Sequence, residues 1–263
     1  MQRDPDGQIK LEQRDHLLLI GIDRPEKRNG FTPKLFSELA AAYSHLEATP
    51  ELWCGVLYAE GDHFTAGLDM PKIAPLRREG KPLIPPAEVD PFNLRAPLRT
   101  KPMIIALKGI CFTVAIELML AADIAIAAEN CRFSQLEVKR GIMAGCGATF
   151  RMVQRAGWGN AMQILLTGDE FNARDALRYN FVQEVVPVGT ELTRAIELAQ
   201  RVARQAPLAV RATMENARLA MNEGWQAAYA AVADTQRRLY SSEDAKEGVQ
   251  SFLEKREARF AGR

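Results

Sequence analysis

The sequence predicts an α/β body of roughly 190 residues followed by a helical tail, and three observations carry that reading. Short apolar runs of strand length, at residues 103–107 and 124–128, enclose a stretch of helical pattern, so strand and helix alternate. From Thr190 onward the apolar residues keep a helical period, with Leu192, Ala195, Ile196, Ala199 and Val202 on one face, and no strand signal returns. The 263 residues are 47% hydrophobic, ample for a buried core without staples.

In chain order, residues 17–22 are an apolar run that ends at Asp23-Arg24-Pro25, a turn signal, and read as a strand. Thr32 before Pro33 is an N-cap followed by proline at the first helical position. Leu35, Leu39, Ala42 and Leu46 then mark an amphipathic helix up to Pro50. Residues 53–58 read as a second strand, leading through Ala59-Glu60-Gly61-Asp62-His63 into Phe64-Thr65-Ala66-Gly67-Leu68-Asp69. Eight of the fourteen prolines fall between Pro71 and Pro102, so regular structure is expected to be sparse there. Such a loop either covers a site or is a plain excursion. Beyond it come the strand at 103–107, a turn at Lys108-Gly109, a helix from about Thr113 to Ala122 and the strand at 124–128. Helical segments follow at 149–156 and 160–166, and a late strand at 182–186. In the tail, Val249, Phe252, Leu253 and Phe260 form a further apolar face, suited to the body or to another subunit.

Composition excludes several classes. Lys and Arg total 34 against 33 Asp and Glu, and a net charge of +1 gives no general pull on nucleic acid or an anionic membrane. Residues 1–10 hold Arg3, Asp4, Asp6 and Lys10 and no apolar stretch, so they do not read as a signal peptide. The later apolar runs fall far below the ~18 residues of a membrane span. A soluble, cytoplasmic protein is expected. Cys54, Cys111, Cys131 and Cys146 show no CxxC, and His16, His45 and His63 form no ligand pair, so neither metal nor disulfide is expected.

Glu117 stands in Val114-Ala115-Ile116-Glu117-Leu118-Met119-Leu120, where a carboxylate is costly to bury without partners. It is either a site residue or a carboxylate on a solvent-facing stripe. Glu137, in Phe133-Ser134-Gln135-Leu136-Glu137, is ordinary by itself. The glycines at 141, 145 and 147 lack the Gly-Lys-Ser/Thr ending of a phosphate loop and the spacing of a dinucleotide fingerprint.

Taken together, Ile22-Asp23-Arg24-Pro25-Glu26-Lys27-Arg28-Asn29, Phe64-Thr65-Ala66-Gly67-Leu68-Asp69, Lys101-Pro102-Met103-Ile104 and the segment from Glu117-Leu118 to Asp123 resemble successive signatures of the crotonase family, in order. Phe133-Ser134-Gln135-Leu136-Glu137, Gly145-Cys146-Gly147-Ala148-Thr149, Leu166-Thr167-Gly168 and Phe252-Leu253-Glu254-Lys255-Arg256 extend the likeness over nearly the whole chain. The resemblance implies a spiral of repeated ββα units over residues 1–190 holding an acyl-coenzyme A site. It makes residues 191–263 a helical region for trimerisation and ligand closure, with assembly as a homotrimer or dimer of trimers.

Residue by residue, Glu117 and Glu137 match the two glutamates of enoyl-CoA hydratases, and their separation of 137 − 117 = 20 equals the family spacing. The resemblance makes Glu117 the base that activates water at the β-carbon and Glu137 the acid that protonates the α-carbon. Two carboxylates crowded in a partly dry pocket repel, so one is expected to keep a proton near neutral pH. The oxyanion hole falls on the backbone N–H groups of Leu68 and Val114, and Gly145, at a helix start, is placed to orient the water. A helix-capping glycine is the plain alternative for Gly145.

For coenzyme A, which enters as part of the substrate and not as a cofactor, the resemblance places the adenine end on the backbone from Ala66 to Asp69. Arg24 and Arg28 then lie near the phosphates, and Phe252 and Lys255 reach a neighbouring subunit's ligand. Arg28 equally suits a solvated surface, and Phe252 a core position. Where the family carries three glycines before the first glutamate, this chain has Thr113-Val114-Ala115, and a small residue is replaced by Leu68. Both changes are expected to crowd the thioester and narrow the acyl pocket. The activity implied is hydration of a 2-enoyl-CoA. Enoyl isomerisation, other acyl-CoA reactions on the same oxyanion hole, and a weakly catalytic CoA-binding scaffold are the alternatives.

Overall fold

The computed structural model describes residues 4–263, so the first three residues of the 1–10 segment lie outside it. From Gln8, within that polar start, the chain forms a strand the sequence pattern did not announce. β1 (Gln8–Arg14) pairs antiparallel with β2 (Leu17–Asp23), Gln8 opposite Asp23. All but one of β1's residues are exposed, so it is an edge strand without the apolar alternation that would betray it. Thr32 accepts a hydrogen bond from the Leu35 amide and caps α1 (Pro33–Ala48), which buries Leu35, Leu39, Ala42 and Leu46 as the spacing predicts.

After β3 (Cys54–Ala59), the proline-rich stretch opens with a helix, α2 (Met70–Arg78), where little regular structure was expected. Pro71 falls in the first turn, where no acceptor waits for an N–H, and Pro75 forfeits a single backbone bond. The remainder of the stretch carries neither helix nor strand.

Two ββα units then follow. The first is β4 (Met103–Leu107), β5 (Ile110–Phe112) and α3 (Val114–Ala121). The second is β6 (Ile124–Ala128), β7 (Arg132–Ser134) and, beyond a short 3-10 turn over Glu137–Arg140, α4 (Ala148–Ala156). The first strand of each unit joins one sheet and the second joins another. β4 pairs parallel to β6 with Ile104 opposite Ile124, and β5 pairs parallel to β7 with Phe112 opposite Ser134. Each turn of the chain therefore lies beside the next, which is the expected spiral. α5 (Trp158–Thr167), β8 (Phe171–Asn172), α6 (Ala173–Arg178) and β9 (Glu184–Val186) complete it. The large sheet runs β1-β2-β3-β4-β6-β9 and the small one β5-β7-β8.

Both faces of the large sheet are covered, which is why its central strands read as unbroken apolar runs. Leu18, Ile20, Leu57, Ile105 and Leu107 face the main core. Leu17, Leu19, Val56, Ile104 and Ala106 face α7 (Glu191–Ala203) through Ala195 and Ala199. α7 thus packs on the body although it lies beyond residue 190. The helices that extend the chain are α8 (Pro207–Glu223), α9 (Trp225–Tyr240) and α10 (Glu243–Glu254). No helix among the described residues is long and apolar enough to cross a membrane.

Candidate active site

Glu117 is the single charged residue of α3 and is 4% exposed, so the solvent-facing alternative does not hold. Its Oε1 accepts hydrogen bonds from the Cys146 amide (2.5 Å) and the Ala148 amide (3.4 Å). Ala148 opens α4, whose capping residue Gly147 has no side chain to offer, so the carboxylate closes the helix N-terminus. Gly147, and not Gly145, is the helix-start glycine. Its φ of 104° requires glycine, whereas Gly145 lies two residues earlier on the cavity wall.

Glu137 arrives on the next turn of the spiral. It lies three residues past β7, whose parallel pairing with β5 sets Phe112 opposite Ser134, while Glu117 lies five residues past β5. Glu137 Oε1 accepts from Gln135 Nε2 (2.9 Å), while Oε2 is buried with no partner. Burial pushes Glu117 up to about 7; the amide of Cys146 opposes that shift and the charge of Glu137 adds to it. Burial likewise raises Glu137, against the Gln135 hydrogen bond. Both acids line one cavity of about 500 Å³, together with Leu68, Thr113, Val114 and Gly145.

Two backbone amides are left over at this cavity for topological reasons. Phe31 and Leu68 form an isolated parallel bridge, in which Phe31 N–H bonds to Gly67 O and Asp69 N–H to Phe31 O, so the Leu68 amide has no place in it. The Val114 amide is the first of α3, one of the four such N–H groups a helix leaves unpaired, and Thr113 supplies no side-chain cap. Neither amide donates to a backbone or side-chain acceptor among the described residues. The two segments approach closely: a Cβ on Gly67 would lie 2.6 Å from Thr113 Oγ1.

The three side chains of Thr113-Val114-Ala115, expected to crowd the thioester, take different courses. Val114 and Ala115 turn their side chains into the main core, at 2% and 0% exposure. Thr113 instead adopts φ 50°, ψ −104°, a conformation that costs a β-branched residue of the order of 1–3 kcal/mol. Its Oγ1 is buried without a partner. Leu68 lines the cavity.

Of the expected coenzyme A contacts, Ala66 and Arg28 are brought together, since the Ala66 amide donates to Arg28 O, and the Arg28 side chain is exposed. Arg24 departs from expectation. It is 3% exposed, and its guanidinium bonds to Pro5 O, Gly30 O and Asp69 (2.8 Å each), bracing the loop that carries Leu68 from behind. Phe252 is 82% exposed, which rules out a core position within the chain, and exposed Lys255 caps α10. Neither lines the cavity of its own chain. Sequence reasoning missed Gln135 and the amides of Cys146 and Ala148, whose roles depend on folding and carry no signal of residue type. It also missed Arg77, Arg78 and Arg140 on the cavity wall.

A stacked ββα spiral with two raised carboxyls and two unpaired amides on one cavity defines an enzyme of the crotonase class. The profile of the Enoyl-CoA hydratase/isomerase family matches residues 12–263, and the chain belongs to that family. It is similar to the crystal structure of a probable enoyl-CoA hydratase/isomerase from Mycobacterium abscessus (46% identity, TM-score 0.94, covering 97% of this chain and 99% of that one). It is 30% identical to enoyl-CoA hydratase EchA19 of Mycobacterium tuberculosis over 100% of this chain and 99% of the relative. It is also 32% identical to mevalonyl-coenzyme A hydratase sidH of Aspergillus fumigatus, over 92% and 90% of the two chains.

Proposed function

We propose that the chain is a 2-enoyl-CoA hydratase, adding water across the double bond conjugated to a coenzyme A thioester. The observation that carries this reading is the convergence of Glu117, Glu137, Leu68 and Val114 on one cavity. Addition of hydroxide at the β-carbon moves electron density onto the thioester oxygen, and the two free amides suit that oxyanion. Each such donor is worth ~10² to 10³ in rate. Glu117 has its Oε1 held by two amides, which favours the carboxylate, and takes a proton from water. Glu137, with one donor and a free Oε2, delivers a proton to the α-carbon. The pair then holds one proton between turnovers.

The remaining parts of the reading concern binding and assembly. Ala66, Leu68 and Asp69 offer backbone to the adenine end, and Arg28 offers charge to the phosphates. Arg24 contributes by fixing Asp69. Exposed Phe252 and Lys255 suit a neighbouring subunit's ligand in a homotrimer or dimer of trimers, located in the cytoplasm.

The test is water-dependent loss of the conjugated absorbance of crotonyl-CoA, run beside a 3-enoyl thioester. Hydration of the former supports the reading; turnover of the 3-enoyl substrate alone would replace it with an isomerase. Because the base must be deprotonated, kcat/KM should rise with pH through about 7, and Glu117→Gln should abolish that limb. An unchanged pH profile in both Glu117→Gln and Glu137→Gln would remove the pair from the chemistry.

A further inference from the structure

The cavity that holds the two glutamates also carries positive charge that the hydration step does not use. α2 turns one face to it, apolar in the first turn through Met70, Ile73 and Ala74, then cationic at Arg77 and Arg78. Arg140, closing the 3-10 turn that begins at Glu137, lines the same cavity. None of these three guanidinium groups has an ion pair or hydrogen bond among the described residues, and the only carboxylates on the cavity wall are Glu117 and Glu137.

Their place along the cavity matters. Leu68 and Val114, which receive the thioester oxygen, line the central cavity alone. Arg77, with Phe36, Gly145 and Cys146, lines both that cavity and an adjoining recess of about 250 Å³. Cys146 is the residue whose amide holds Glu117, so the recess adjoins the Glu117 end of the cavity. Leu83 and Phe92 make its walls apolar. Asp90, its one carboxylate, is engaged by the amides of Phe92, Leu94 and Arg95. Arg95 itself is bonded to the carbonyls of Ile84, Pro85, Pro86 and Ala96. Arg77 is therefore the cation left open at the join.

We propose that the acyl group accepted here carries a second anion, a carboxylate at the far end of its chain, bound by Arg77 with Arg78 and Arg140 beside it. Guanidinium is the side chain whose planar fork matches a carboxylate, and all three arginines are exposed at the cavity wall, open to an incoming anion. An apolar chain with a terminal carboxylate also follows the order of the wall, Ile73 and Ala74 before Arg77. The inference rests on the acyl-thioester reading above and narrows it to a substrate class.

Binding separates the two without relying on turnover. Affinities of hexanoyl-CoA and of the six-carbon thioester bearing a terminal carboxylate are measured by calorimetry on the full chain. Wild type should prefer the carboxylate-bearing thioester by about tenfold. Arg77→Gln, and to a lesser extent Arg140→Gln, should erase the preference while leaving hexanoyl-CoA affinity and Tm unchanged. Equal affinities in wild type, with hexanoyl-CoA bound, would overturn the inference alone. So would a variant that weakens both thioesters alike, which would assign the arginines to the coenzyme A phosphates. If neither thioester bound, the acyl-thioester reading and the inference would fall together.

Discussion

Glu117 on α3 and Asp123 just past its end are six residues apart, and the fold treats their charges in opposite ways. Asp123 accepts from Arg99 Nη1 (2.6 Å), Arg218 Nη2 (3.0 Å) and the Met103 amide (2.8 Å). Against the penalty of burial, these groups hold its carboxyl below the usual range. Glu117 forms no ion pair among the described residues, shares its cavity with a second acid, and is pushed up to about 7 by burial. One carboxylate ties α8 and the Arg99 loop to the sheet; the other is left without a counter-charge, its carboxyl raised. The position of an acid's titration follows from whether the fold supplies its counter-charge.

The largest effect that bears on this contrast is on turnover. Glu117→Gln and Glu137→Gln should each lower kcat by about 10² to 10⁴, whereas Asp123→Asn should leave kcat per folded molecule unchanged. Stability should respond the other way round. Because the folded Glu117 carboxyl titrates above its unfolded value of 4.5, the native state binds the extra proton between those values, and stability falls as pH rises from about 4.5 to 7. Glu117→Gln removes that loss, so above pH 7 the variant should be the more stable protein, by an amount of the order of 3 kcal/mol that vanishes in acid. Urea titrations at pH 4 and pH 8 measure it, and a variant less stable than wild type at pH 8 would break the comparison.

Asp123→Asn should cost about 2 kcal/mol, since it leaves Arg99, 1% exposed, short of its counter-ion. The value is held below that of a fully buried pair because the Asp123 side chain is 27% open. Its carboxyl is lowered, so the contribution is complete above the unfolded value of 3.8 and disappears as pH falls through the lower folded value. The difference between variant and wild type should therefore close in strong acid. Thr113→Val, which keeps the shape and the strained φ but deletes a hydroxyl with no partner, should stabilise by about 1 kcal/mol. A loss of that size instead would show that the hydroxyl is satisfied in solution. Arg237→Ala, breaking the exposed pair with Asp234, should move stability by less than about 0.5 kcal/mol and sets the floor for the series.

Much of this arrangement was legible in the sequence where one residue type has one structural meaning. Thr32-Pro33 started α1, and the all-apolar runs 103–107 and 124–128 matched β4 and β6 to the residue because they are covered on both faces. β1, exposed along one edge, and β5 and β7, three residues each, left no periodic pattern to read. In α2, the density of prolines outweighed a helix whose first proline sits where proline is tolerated. At the site, the two glutamates that share the cavity were picked out through the family resemblance, since Glu137 is ordinary by itself. The left-over amides and the groups restraining each carboxylate were not, because backbone hydrogen bonding is settled by register. Arg24 illustrates the same limit: its charge was plain, but not that Asp69 and two carbonyls would enclose it.

The pairing of β4 with β6 also sets which parts of the chain can change length. Glu117 and Glu137 meet because one turn of the spiral lies in register on the next, so a residue inserted between β6 and Glu137 would displace one carboxyl from the other without removing either. The segment at 79–88, which joins no strand and precedes the buried Val89, Asp90, Phe92 and Arg99, is under no such constraint, and Pro82, Leu83 and Ile84 within it line the recess beyond Arg77. Insertions and deletions there should reshape the recess without moving Glu117 or Glu137, neither of which lines it.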